Sequence, residues 1–241
     1  MEIPDGPLLM MIQHWDNMTH NDLWMNKAMA FLARSRQELW GKHNEEILAW
    51  FFLNGFKNSF IQDMLLGWNK RPKERSAETW GFSSDDSDSQ LKNSNLFFPP
   101  GIVIPYVVDK HLEKLIIYDH EKTTGNPCHV VPGSSEKPVV FGKQCQHVAV
   151  VENIVHGLLL FQEFPENLTV VVPDESPAFA PIHEPGKESQ PLEILYFPDP
   201  LKERFSSSTD NINRIALPHS EKKYSQASEL IGIIRQSFFT V

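Results

Sequence analysis

The chain has 241 residues, 41% of them hydrophobic, and a formal net charge of −9. These values predict a folded protein of one large or two small domains and exclude an intrinsically disordered chain. The acidic balance argues against a protein coated for indiscriminate DNA binding. Cys128 and Cys145 form no CxxC pair, so we expect no zinc site in this chain and a reducing, cytoplasmic location. No run approaches the roughly 20 apolar residues of a membrane span, so no membrane partner is expected.

Apolar residues recur at helical spacing in the first part of the chain. The pattern predicts three helices, over residues 23–39, 47–52 and 59–66. Asn21 or Asp22 is a candidate N-cap of the first helix, Asn54-Gly55 is a natural stop for the second, and Gly67 for the third. We expect the apolar stripes to form core rather than a cofactor site.

A basic run, NKRPKER, follows the third helix and carries four cationic side chains. They are Lys70, Arg71, Lys73 and Arg75. Clustered cations of this kind can contact nucleic-acid phosphates, and the alternative interpretation is a solvated loop. A polar stretch over residues 83–95 is expected to be a surface loop.

The period of the apolar residues changes to two from Leu96 onward, which is typical of strands. The predicted strands cover residues 101–108, 114–120, 129–135, 148–151, 168–173, 192–199 and 213–218, with helices over 153–164 and 225–237. The alternation after residue 146 predicts a parallel layer. The fold class is therefore α/β, with an N-terminal helical segment (1–82), a small β-rich subdomain (96–145) and a parallel-sheet domain with flanking helices (146–241).

Glu152 stands where an apolar strand gives way to a helix, in VAVVENIVHGLLLFQEF. In open α/β sheets the carboxyl ends of strands are where ligands and chemistry collect. The alternative is a solvated residue in the first turn of the helix, favoured there by the helix dipole. The sequence pattern leaves both interpretations open.

The order of several short motifs resembles the plasmid and satellite-phage type of DNA primase over roughly residues 20–237. The motifs are WMNKAMAFLARSRQELW, EEILAWFFLNGFKNSFIQDMLLGWN, ERSAETWGF, FFPPGIVIPYV, HVVPGSS and VAVVENIVHGLLLFQE. Each motif alone is weak, and their order and spacing carry the resemblance. It implies a TOPRIM domain, whose chemistry needs an acid at the first strand–helix turn and an Asp-x-Asp pair on a later strand, holding Mg²⁺ against phosphates.

The resemblance assigns roles to particular acids. Glu152 matches the TOPRIM glutamate, and Asp199 in ILYFPDPLKER matches the first aspartate of the pair. Leu201 stands where the second aspartate belongs, and Glu203 is a candidate replacement. The implied catalytic residues are therefore Glu152 and Asp199, and the implied weak Mg²⁺ ligands are Glu152, Asp199 and Glu203. Parallel pairing of residues 148–151 with 194–197 would bring Glu152 and Asp199 to one sheet edge.

Other departures from the family point to a degenerate site. His156 stands where the family usually has an aspartate, and Asp119-His120 replaces an arginine-bearing strand. Lys222-Lys223 replaces a Lys-Asp element, and the upstream zinc ribbon is missing. His147 and His156 are too far apart along strand and helix to favour a transition-metal site.

We therefore expect a primase-like protein that acts by binding, in the DNA replication of a mobile genetic element or in defence against one. Its expected partners are single-stranded DNA or nucleotides, and a replication or defence protein. The alternatives are an active Mg²⁺-dependent nucleotidyltransferase or nuclease, and a protein-interaction scaffold.

Overall fold

The computed structural model describes most of the first 173 residues and short parts of the rest. The described residues are 20–82, 95–122, 125–143, 145, 147–173, 193–197, 231–232 and 234–235. They fall into two compact units. The first contains the described parts of Met1–Trp50 and Asn58–Ser135, and the second those of Phe51–Lys57 and Glu136–Val241. The predicted three-part division at residues 82–96 and 145–146 stays a prediction.

Three helices open the described chain, in agreement with the predicted number. They are α1 (His20–Leu39), α2 (Glu45–Leu53) and α3 (Asn58–Asp63). Asn21 and Asp22 lie inside α1, so their prediction as N-caps is wrong. The predicted stop of α2 is confirmed, because the helix ends before Asn54 and Gly55 takes a left-handed φ of 90°.

The described residues of the first unit form six short and medium strands. These are β1 (Gly67–Asn69), β2 (Lys73–Ser76), β3 (Asn95–Phe98), β4 (Gly101–Val108), β5 (His111–Tyr118) and β6 (Cys128–Val130). Four of them form an antiparallel sheet in the order β1-β4-β5-β6, and β2 pairs with β3 in a separate antiparallel ribbon. The predicted helix stop at Gly67 is wrong, because this glycine begins β1. The second half of the basic run is strand rather than loop.

The core of the first unit contains side chains of α1, of this sheet, of β3 and of residues 77–80. Aromatic rings fill much of it, with Phe98 4.8 Å from Phe31 and 4.9 Å from Trp80 between ring centroids. The indole nitrogen of Trp24 donates a hydrogen bond to the Pro132 carbonyl oxygen at 2.6 Å. This bond attaches the PGSS turn to the helix.

The second unit is built on a mixed sheet of four described strands. They are β7 (Val139–Phe141), β8 (His147–Val151), β9 (Thr169–Val172) and β10 (Glu193–Phe197), in the order β10-β8-β9-β7. β10, β8 and β9 are parallel, whereas β7 is antiparallel to β9 and was not predicted. The helix α4 (Ile154–Glu163) joins β8 to β9. The predicted α/β fold class is confirmed, with one antiparallel edge strand added to the parallel sheet.

Gly157 lets α4 lie directly on the sheet. A β-carbon at this position would lie 2.7 Å from Cγ2 of Val172 and 3.2 Å from Cγ2 of Val151. Such distances are shorter than van der Waals contact, so a larger residue would push the helix away from β8 and β9. The close approach fixes the β8–α4 junction.

Several predicted elements lie wholly or partly outside the described residues. They include the polar loop at 83–94, the strand at 213–218 and most of the helix at 225–237, of which residues 231–232 and 234–235 are described as helical. Among the described helices, none is long and apolar enough to cross a membrane.

Candidate functional site

The junction between β8 and α4 holds an acid that is almost fully buried. Glu152 follows the last residue of β8 and exposes only 5% of its surface. It precedes the N-cap of α4, so it is not a solvated residue of the first helical turn, and that interpretation is wrong. The carboxyl end of a strand is where ligands collect in an open α/β sheet, so a buried acid at this position is a functional candidate.

Asn153 determines where α4 starts. Its backbone is extended, at φ −99° and ψ 120°, and its side-chain oxygen accepts hydrogen bonds from the backbone nitrogens of Val155 at 2.9 Å and His156 at 3.3 Å. These bonds satisfy two of the N–H groups that a helix leaves unpaired at its start. This N-cap was not predicted from the sequence, although an asparagine directly before an apolar helical run is a recognised start signal.

The neighbouring strand ends beside Glu152. β10 runs parallel to β8, and Phe197 lies opposite Val151. The described ends of these two parallel strands therefore lie at the same edge of the sheet. Asp199 comes two residues after Phe197, but Asp199, Leu201 and Glu203 lie outside the described residues, so their roles stay predictions.

A magnesium site would need more than the described residues provide. Mg²⁺ takes hard oxygen ligands, and two phosphate-bridging ions need several carboxylates. Within the described ranges, no three His, Cys, Asp or Glu side chains come together in a way that could hold a metal ion. His147 and His156 accordingly belong to no such group. Of the predicted magnesium ligands, only Glu152 can be located.

The four cations of the basic run have different surroundings. Lys73 is 3.0 Å from the Glu38 carboxylate, with its ammonium 5.4 Å from the centre of the Phe31 ring. Arg75 donates to the carbonyl oxygen of Glu74 at 2.9 Å. Within the described part of the chain, Arg71 is exposed and has no ion pair. The run is therefore not a uniform cationic surface.

The PGSS turn has a structural role. The Ser134 hydroxyl accepts a hydrogen bond from the backbone nitrogen of Leu115 at 3.1 Å, and the Ser135 backbone nitrogen donates to the Glu113 carbonyl at 2.7 Å. These bonds join the turn to β5. They support the interpretation of both serines as turn formers.

Comparison with solved structures identifies a known architecture. The RNA polymerase domain of Mycobacterium tuberculosis primase DnaG matches with a TM-score of 0.50 and 11% sequence identity, over 73% of this chain and 66% of that chain. The chain shares the fold of this primase domain. No protein-family model matches the sequence, and no curated protein does.

Two further primase structures are similar to the chain. The same Mycobacterium tuberculosis domain in complex with a double-stranded DNA oligomer with a 6-nucleotide overhang gives a TM-score of 0.49 at 11% identity, over 76% of this chain and 64% of that one. A DnaG catalytic domain bound to single-stranded DNA gives 0.48 at 10% identity, over 64% and 56%. This chain thus spans less than two thirds of the length of each.

Proposed function

We propose that this protein is a primase-like nucleic-acid-binding protein whose catalytic site is degenerate. The observation that carries the proposal is the position of Glu152, buried at the end of β8 beside the parallel end of β10. In an open α/β fold, ligands bind at this edge of the sheet, so an acid here is in a position to take part in phosphate chemistry. The fold that the chain shares with a primase RNA polymerase domain also supports a primase-like function.

The degenerate site follows from the acids that the sequence lacks. Leu201 provides neither charge nor oxygen where the resemblance places a second aspartate, and Lys223 adds a positive charge where it places an acid. Glu152 and Asp199 would together hold at most one Mg²⁺ ion, with Glu203 as a weak third ligand. We propose that the protein therefore acts by binding single-stranded DNA or nucleotides, in replication of a mobile element or in defence.

The second candidate is an active Mg²⁺-dependent nucleotidyltransferase or nuclease. The place of Glu152 favours it, because a buried acid at the carboxyl end of a strand lies where ligands and chemistry collect in an open α/β sheet. The two candidates make opposite predictions for primer synthesis. A scaffold that binds only protein, the third possibility, predicts no nucleic-acid binding.

The test is primer synthesis on single-stranded DNA with nucleotides and Mg²⁺, alongside binding of the same DNA. We expect binding without primers. Glu152→Gln keeps the side-chain shape and removes the charge, and Glu166→Gln, at an exposed glutamate of the same unit, is the matched control. Template-dependent products that Glu152→Gln abolishes and Glu166→Gln retains would establish the enzyme instead. Absence of binding would favour the scaffold.

A further inference from the structure

The outward face of α2 combines apolar and acidic side chains. Five exposed residues recur at spacings of three, four and seven positions, which places them on one face of the helix. They are Glu45, Glu46, Ala49, Phe52 and Leu53. Phe52 exposes 51% of its surface and Leu53 87%, the two largest values among the large hydrophobic residues of the described ranges. Apolar residues scattered singly need no explanation, whereas neighbours on one helix face form a continuous contact surface.

The opposite face of α2 is held in the core, so the outward face has a fixed orientation. Ile47 and Phe51 are each only 1% exposed, and the Phe51 ring lies 5.4 Å from the Phe56 ring between centroids. Turning the helix would expose these apolar side chains to water. All five outward residues lie on one continuous helix, and seven positions separate the acidic end from the apolar end. That spacing corresponds to about 10 Å along the helix axis.

The two glutamates at the start of α2 are available to a cationic partner. Among the described residues, neither Glu45 nor Glu46 forms an ion pair. The Lys70 ammonium contacts the carbonyl oxygen of His43 at 3.4 Å, two residues before the helix begins. The carboxylates stabilise the helix through its dipole while their outer sides stay in water. Complementary charge selects a partner and fixes its register.

The distribution of charge disfavours a second copy of this chain and a membrane as the occupant. Two copies of α2 aligned in parallel would bring Glu45 and Glu46 against identical carboxylates. Aligned antiparallel over their full length, they would bring these carboxylates against the apolar Phe52 and Leu53, which would remove charge from water without a partner. Helices that lie on membranes carry lysine and arginine beside their apolar face, because the lipid surface is anionic.

We propose that the outward face of α2 docks an amphipathic helix of a partner protein. Apolar side chains of the partner pack on Phe52 and Leu53, and its lysines or arginines lie two turns away, opposite Glu45 and Glu46. Helices recognised in this way present anchors at three-, four- and seven-residue spacing. The face is short and buries little area, so the contact is weak and transient. The inference goes beyond the proposed function and does not depend on nucleic-acid binding.

The experiment measures fluorescence anisotropy of a labelled helical peptide titrated with the full chain. The peptide has about 20 residues, enough to form an isolated helix. It contains alanine, a leucine pair and a lysine pair, with the two pairs seven positions apart on one face. A second peptide of the same composition carries its lysines on the opposite face. It should bind more weakly, which separates docking from general attraction to an acidic protein.

Phe52→Ala and Leu53→Ala should each weaken binding of the first peptide about 5- to 30-fold, the range between an ordinary interface residue and a hot spot. Alanine keeps the helix, and circular dichroism checks that both variants are folded. Phe97→Ala is the matched control, because Phe97 exposes a similar 48% of its surface on β3. It should bind the peptide like the wild type.

Glu45→Gln and Glu46→Gln should each weaken binding about 2- to 5-fold and reduce its dependence on salt. Glu78→Gln, at an exposed glutamate outside α2, is the control for the loss of one negative charge and should change neither. Equal binding of the two peptides, or unchanged binding by Phe52→Ala and Leu53→Ala, would overturn the inference. Failure of the first peptide to bind would do the same.

Two further measurements test the other occupants. Sedimentation velocity should show a monomer, and a dimer that Leu53→Ala dissociates would assign the face to a second copy instead. Vesicles of phosphatidylcholine and phosphatidylserine should not retain the protein on flotation. Retention that Leu53→Ala abolishes would assign the face to a membrane. Neither result would bear on the proposed function, which is tested by binding of single-stranded DNA.

Discussion

Gly133 lies directly against the indole ring of Trp24. Its neighbour Pro132 is 108 positions from Trp24 in the chain, and the Pro132 carbonyl oxygen accepts a hydrogen bond from the same indole. Gly133 has a φ of 88°, in the left-handed region, and a β-carbon there would collide with Cδ1 and Nε1 of Trp24. The glycine is therefore required twice, once by backbone conformation and once by the space beside the ring.

Gly133→Ala should lower the free energy of unfolding by about 2–5 kcal/mol. The left-handed backbone costs about 1–2 kcal/mol for a residue with a β-carbon, and overpacking adds about 1–3 kcal/mol. Urea denaturation measures the change. Gly55→Ala separates the two causes, because Gly55 has a φ of 90° and a β-carbon added there would meet no atom within 4 Å. Equal losses in the two variants would show that the contact with Trp24 contributes nothing.

Gly157→Ala should destabilise the second unit even though alanine is the better helix former. The substitution gains about 1 kcal/mol in helix propensity, but the new methyl meets Val172 and Val151, at a cost of about 1–3 kcal/mol. Denaturant unfolding should show a net loss. Gly232 lies in helical backbone, and a β-carbon there would meet no atom within 4 Å, so Gly232→Ala should be neutral or stabilising. A stabilising Gly157→Ala would mean that α4 does not pack this closely.

Elements with strong local signals were predicted from the sequence, and short or long-range features were not. β4 and β5 are long runs of alternating or buried residues, so their period was clear. β7 has three residues, too few to display a period. The burial of Glu152 is a feature of the tertiary structure, which no local pattern records. Likewise, the ion pair of Lys73 with Glu38 joins residues 35 apart in the chain.

His129 should make stability depend on pH. Burial lowers the pKa of this imidazole below its ordinary 6.5, with a backbone hydrogen bond to Phe97 opposing the shift. Below pH 6.5 the unfolded chain therefore takes up a proton more readily than the folded one. The contribution of neutral His129 to the free energy of unfolding is fully present above pH 6.5. It is lost as the pH falls toward the lower pKa of His129 in the folded state.

His129→Gln should flatten this dependence. Urea denaturation between pH 5 and 8 measures the free energy of unfolding for wild type and variant. His111→Gln, at an exposed position on β5, controls for the loss of one histidine and should keep the wild-type profile. A profile of His129→Gln parallel to that of the wild type would assign the pH dependence to other groups.

Arg71→Ala and Lys73→Ala should separate nucleic-acid binding from stability within the basic run. Arg71 is exposed, so its loss should leave the free energy of unfolding within about 0.5 kcal/mol of wild type. It should reduce the salt slope of single-stranded DNA binding by about 0.7, because one phosphate contact is lost. Lys73 is only 22% exposed and is paired with Glu38, so Lys73→Ala should cost about 0.2–1 kcal/mol of stability and change the slope little. Lys27→Ala, at an exposed position on α1, controls for the general loss of one positive charge. An equal fall in slope for Arg71→Ala and Lys73→Ala would show that Lys73 leaves Glu38 to contact phosphate, and that the ion pair does not decide which cations bind.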